Sequence, residues 1–158
     1  MDFDPGAVRA TRESMLLRML FRATHTMNAE MAARLRARGW ESFNPAFTSV
    51  LGHLDTEGTT VTTLSQKTGT TRQAVSQLTQ TMERVGLLER VPNPHDGRSV
   101  MLRHTDAGRR ILLDAIHVMT EIEHEYAALI GAGPAEELKD LLTRLLAEID
   151  PRGALQPE

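Results

Sequence analysis

Between Gly69 and Gly86, the polar side chains Arg72, Gln73, Ser76, Gln77 and Gln80 recur at steps of one and three, with no acid among them. Amides, a guanidinium and a hydroxyl at that spacing suit hydrogen bonding to base edges. Gln can make two bonds to adenine, Arg two to guanine, and Ser one to either. Just upstream, Lys67 and the hydroxyls of Thr70 and Thr71 stand where phosphates would be held, beside the N–H groups of a helix start. Further on, Asp96-Gly97-Arg98 sets an acid and a base two residues apart. Arg98 suits a minor groove, where narrow A·T-rich tracts concentrate negative potential, and Asp96 would orient the guanidinium or brace the turn. A solvated glutamine-rich helix face and an exposed surface ion pair are the competing accounts.

Other chemistry has less support. His117, Glu121 and His124 fall at i, i+4 and i+7, a spacing that could supply three metal ligands. With Asp114, Glu123 and Glu125 beside them, a solvated acidic face is the competing account, and no metal is expected. The absence of cysteine removes thiol catalysis, thiol redox sensing and cysteine-bearing zinc sites. No Gly-x-Gly-x-x-Gly or phosphate-binding loop and no nucleophile elbow appears, so neither an enzyme nor a cofactor is expected.

The net charge of −3 hides a division along the chain. Residues 1–60 are neutral, residues 61–110 carry +4 and residues 111–158 carry −7. That division suggests one face for a polyanion and another kept away from it. With 41% hydrophobic and 25% charged residues in 158, the chain reads as one globular domain, residues 1–158. The acidic N-terminus and the lack of a long apolar run give the expectation of a cytoplasmic protein with no membrane partner.

Those residues need elements to hold them. Apolar spacing predicts one long helix over 7–38, closed by Gly39, and a short helix from Pro45 to about Leu54. A second short helix capped by Thr62 should end near Gly69. The next, Thr71–Val85, carries the stripe Ala74, Val75, Leu78, Met82 and Val85. Runs 87–91 and 99–104 flank a segment dense in turn residues and read as a hairpin. Thr105 should cap a helix over 106–130; after the break Gly131–Pro134, a last helix should run from Pro134 to about Ile149, before Pro151. The fold class is therefore mostly α with a small β-hairpin wing: a winged helix-turn-helix of six helices.

Together, Gly69 to Ser76, Met82 to Arg90, Asp96-Gly97-Arg98 and Thr105-Asp106-Ala107-Gly108 resemble the multiple-antibiotic-resistance regulator (MarR) family of bacterial transcription factors. The likeness covers about residues 8–149. It departs at His104 and Met82, where the family usually has leucine. The resemblance implies a sequence-specific regulator of double-stranded DNA, with the wing arginine in a minor groove and the Thr71–Val85 helix in the major groove. It further implies a homodimer held by helices 7–38 and 106–149, leaving 45–104 as the DNA-binding lobe. Surplus apolar faces on those helices favour the dimer independently, because pairing removes them from water at ~25 cal/mol per Å². A repressor is expected, since a dimer lying on a near-palindromic operator blocks polymerase without further contacts. The resemblance also implies a small aromatic or anionic effector. Candidates to line its cleft are Met19, Arg22 and His25 with Trp40, Phe43 and Phe47, although packing of a helix junction explains the aromatic cluster equally well. The alternatives are a winged-helix protein-association module and a metal-responsive regulator.

Overall fold

Among the described residues, Met15 interrupts the helix expected over 7–38. In the computed structural model, which describes residues 4, 6, 11 and 13–149, Met15 has extended backbone (φ −69°, ψ 130°) and helix α1 runs Leu16–Ala37. Apolar spacing reports a face, not one residue's dihedrals, so the break has no signature in the stripe. Residues 7–10 and 12 of the expected helix lie outside the described residues. At the far end, the N–H groups of Gly39 and Trp40 fold back onto the carbonyls of Arg36 and Leu35 at 3.0 and 3.1 Å. This is the Schellman closure expected of a helix followed by glycine.

The chain divides after Pro45 into two units, Met1–Pro45 and Ala46–Glu158. A 3₁₀ turn, Pro45–Phe47, leads into α2, Thr48–Leu51. The expected helix to Leu54 is thus only one α turn, ended at Gly52. Helix α3, Val61–Lys67, is capped by Thr60 rather than Thr62: the Thr60 hydroxyl accepts the Thr63 N–H at 3.1 Å. Four threonines surround this start, and a pairing distant in sequence selects among them. Thr59 exchanges two backbone bonds of 2.9 Å with Leu102, which leaves Thr60 extended at the cap.

Helix α4 spans Arg72–Arg84 and buries Val75, Thr79 and Met82. Ala74 and Val85, expected in the apolar stripe, are exposed; Thr79 takes the inward place and satisfies its hydroxyl on the Ser76 carbonyl. After α4, Gly86 takes φ +76° and lets the Leu87 N–H reach the Met82 carbonyl at 2.9 Å. A side chain there would be strained. Strands β1, Leu88–Pro92, and β2, Val100–His104, pair antiparallel with Leu88 opposite His104, each starting one residue later than expected.

The Thr105-x-x-Gly108 motif joins this hairpin to α5, Asp106–Ile130. The Thr105 hydroxyl donates to the Gly86 carbonyl at 2.6 Å and accepts the Gly108 N–H at 3.0 Å. A Cβ on Gly108 would lie 2.0 Å from the Leu87 carbonyl oxygen, so only glycine lets the helix approach the turn this closely. Helix α6 is Ala132–Ile149. It begins before Pro134, not at it, because a proline in the first turn lacks only an N–H that has no intrahelical partner anyway. The expected stop at Pro151 lies outside the described residues. From Leu16 to Ile149 the described residues form six helices with a two-stranded wing.

Candidate nucleic-acid interface

Helix α4 starts at Thr71, whose hydroxyl accepts the Ala74 N–H at 3.2 Å. The face opposite Val75, Thr79 and Met82 carries Gln73, Gln77 and Gln80 at steps of three and four, all exposed. Arg72 is exposed and Ser76 half-buried beside that row, and the Gln80 amide donates to the Ser76 hydroxyl at 3.4 Å. The sequence reading stopped at Gln80. Arg84 continues the row one turn on, a step of four that could have been followed, and donates to the Thr81 hydroxyl at 2.9 Å.

The residues expected to hold phosphates differ in their surroundings. Thr70 and Thr71 are exposed at the turn, but Lys67 is engaged. Its ammonium lies 2.7 Å from the Asp55 carboxylate and 3.5 Å from the His53 carbonyl. The Lys67 bond holds the Asp55 carboxyl below its ordinary value against the opposing effect of burial, with the Thr59 hydroxyl adding to the lowering. Lys67 would have to leave that carboxylate to meet a phosphate.

At the wing tip Asp96 braces the turn. Its carboxylate accepts the Arg98 N–H at 3.0 Å, and its carbonyl accepts the Ser99 N–H at 3.0 Å. The Arg98 guanidinium, by contrast, is exposed and makes no ion pair among the described residues. Wing and helix are tied at the base, where the Arg90 guanidinium grips both oxygens of Glu83 at 2.7 and 3.1 Å. Across the strands Arg103 meets Glu89 at 2.8 Å.

These pairings sort the basic block. Lys67, Arg90, Arg103 and Arg109 each have a carboxylate partner. Arg72, Arg84, Arg98 and Arg110 have none among the described residues, so their charge is available to an external anion. Arg110 was also missed by the sequence reading; its place beside Arg109 gave no sign of which of the two would be paired.

The effector candidates separate. On α1, Arg22 and His25 line an open groove of about 640 Å³ with Met15, Leu17, Arg18, Phe21 and Thr26. Met19 and Trp40 do not line it, and Phe43 and Phe47 are core side chains at 3% and 1% exposure. His117 and Glu121 lie 3.3 Å apart, but no three His, Asp or Glu side chains among the described residues form a group able to hold a metal, so His124 does not complete a site. No helix among the described residues is long and apolar enough to cross a membrane.

Residues 43–99 match the model of the MarR family. No curated protein matches the sequence. Among solved structures, the chain is similar to the transcriptional repressor CouR bound to a 23-mer DNA duplex, at 26% identity and TM-score 0.69, over 92% of this chain and 99% of that one. It is also similar to the reduced form of MarR from E. coli, at 19% identity and TM-score 0.73, covering 84% and 96% of the two chains. A third likeness is to the transcriptional regulator BldR from Sulfolobus solfataricus, at 19% identity and TM-score 0.66, covering 93% and 100%. The latter two establish the fold.

Proposed function

We propose that the chain is a DNA-binding transcriptional regulator of the MarR type, a homodimeric repressor of a near-palindromic operator that responds to a small ligand; the match of residues 43–99 to the MarR family model and the likeness to the DNA-bound repressor CouR support this reading. The observation that carries this reading is the exposed row Gln73, Gln77 and Gln80, on the same lobe as a wing arginine that has no carboxylate partner among the described residues. In it, α4 lies in the major groove with Gln73, Ser76, Gln77 and Gln80 at base edges, while Arg72, Thr70, Thr71 and, once released from Asp55, Lys67 hold phosphates. Arg98 enters the minor groove, with Asp96 bracing its turn. Two copies place two such helices about one duplex turn apart, so half-sites lie roughly 10 base pairs centre to centre.

Helices 7–38 and 106–149 hold the dimer, and residues 45–104 read the DNA. The effector is a small aromatic anion, suited by Arg22 and His25 beside Phe21 in the α1 groove. The protein is not an enzyme, and it works in the cytoplasm, where its operator is. The test is affinity for a duplex selected from random-sequence DNA by the full-length protein. A dimer making about six to ten phosphate contacts loses ~10³–10⁵ in affinity between about 50 and 200 mM salt. Failure to bind any duplex at the lower salt overturns the reading.

A further inference from the structure

The wing loop, residues 93–99, is long for a hairpin, and a loop of this length is mobile unless bonded internally. One side chain reaches both of its limbs. The Asn93 amide oxygen accepts the His95 N–H at 3.0 Å, and the amide nitrogen donates to the Ser99 hydroxyl at 2.8 Å. Its backbone closes the same ring: the Asn93 N–H donates to the Ser99 carbonyl and its carbonyl accepts the Asp96 N–H, both at 3.3 Å. Ser99 returns its hydroxyl to the Asp96 carbonyl at 3.2 Å. Arg98 sits inside this ring, its N–H on Asp96 and its neighbour held by Asn93.

The chemistry of the position is specific. The two limbs offer an N–H at one end and a hydroxyl already donating at the other, so the bridging group must accept and donate at once. Asparagine does both without placing a negative charge beside a phosphate. Pro92 and Pro94 on either side restrict φ and have no N–H that would need a partner, so the side chain of Asn93 acts on an already stiff segment.

We propose that Asn93 is a positioning residue for DNA binding: it holds the backbone from which Arg98 enters the groove, and it raises affinity through Arg98 without touching DNA. The loop is ordered before DNA arrives, so less conformational freedom is lost on binding. This rests on the reading of Arg98 as a DNA contact. The experiment is a double-mutant cycle on the full-length protein with Asn93→Ala, Arg98→Ala and the pair, measured on a duplex selected from random DNA by the unaltered protein. Arg98→Ala weakens binding about ten- to hundredfold and lowers the salt slope by about one unit. Asn93→Ala weakens it about three- to tenfold in the parent, but less than twofold when Arg98 is already alanine. Ser99→Ala, which removes the partner hydroxyl, behaves like Asn93→Ala, and base preference at the α4 positions is unchanged in both. Equal losses from Asn93→Ala in the two backgrounds, or no loss in the parent, overturn the role of Asn93. No effect of Arg98→Ala overturns the reading beneath it.

Discussion

His104, opposite Leu88 in the hairpin, is 7% exposed, and neither ring nitrogen closes a hydrogen bond of normal geometry among the described residues. Burial pushes its pKa below the ordinary 6.5, the backbone of Leu51 offsets part of that, and the Arg109 charge adds to the lowering. The unfolded chain therefore takes up the proton first as pH falls. The contribution to stability is whole above about 6.5 and is lost as pH drops from there toward the lowered folded value. Thermal denaturation at about pH 7.5 and 5.5 should show a fall in Tm that His104→Leu largely removes, and that variant should be more stable by about 1–3 kcal/mol at the lower pH. Gly108 shows the reverse sensitivity. With a Cβ 2.0 Å from the Leu87 carbonyl, Gly108→Ala must push α5 off the wing root, at a cost of roughly 3 kcal/mol in denaturant titration. A cost under about 0.5 kcal/mol would show that the contact is not close in solution.

Helix α4 joins two jobs that local sequence had already separated. Its inward side is anchored by Val75, Thr79 and Met82, its start is closed by the Thr71 hydroxyl, and its C-terminal end is tied to β1 by the Glu83–Arg90 fork. Thr71→Ala should cost about 1 kcal/mol of stability by loss of that cap, read by thermal unfolding without DNA. Gln77→Ala should leave stability unchanged and relax base preference, losing about 1–3 kcal/mol of discrimination at one position per half-site. Equal losses on selected and random duplexes would remove Gln77 from the reading set. The hairpin is legible for the same reason as the helix: proline, Asp-Gly and alternating strands act over a few residues. The Thr59–Leu102 bridge is not, because it joins residues far apart in the chain through backbone atoms that carry no sequence signature.

At the scale of the whole molecule the surface is unevenly finished. On α6 only Ala135 is buried, while Leu138, Leu141, Leu146 and Ile149 stand exposed; on α5 so do Leu113, Ile116, Leu129 and Ile130. On α1 the exposed set includes Leu16, Leu17, Met19 and Phe21. Apolar surface on this scale calls for a partner, and in the homodimer proposed here a second copy supplies it. Sedimentation equilibrium should give twice the 17.5-kDa chain mass, and Leu129→Glu with Leu141→Glu should shift it to the monomer and weaken operator binding by well over tenfold. A monomeric parent would refute the homodimer. The −7 of residues 111–158 repels a polyanion, which in the proposed complex favours the basic segment, residues 61–110, as the face that meets DNA.

The sequence by itself determined the order of elements, the face of α4 left for solvent, the cap at Thr71, the turns at Gly69 and Gly86 and the projecting Arg98. Helical periodicity, capping and turn chemistry act between neighbours in the chain. Only the tertiary structure decided that Met15 interrupts the first helix, that Thr60 and not Thr62 caps α3, and that Lys67 is held by Asp55 while Arg72, Arg84, Arg98 and Arg110 have no carboxylate partner among the described residues. It also decided that Asn93 closes the wing and that His104 is buried with no hydrogen bond of normal geometry among the described residues. Most of these depend on which groups distant in sequence come within hydrogen-bonding reach or exclude water from one another, and that is a property of the packed chain.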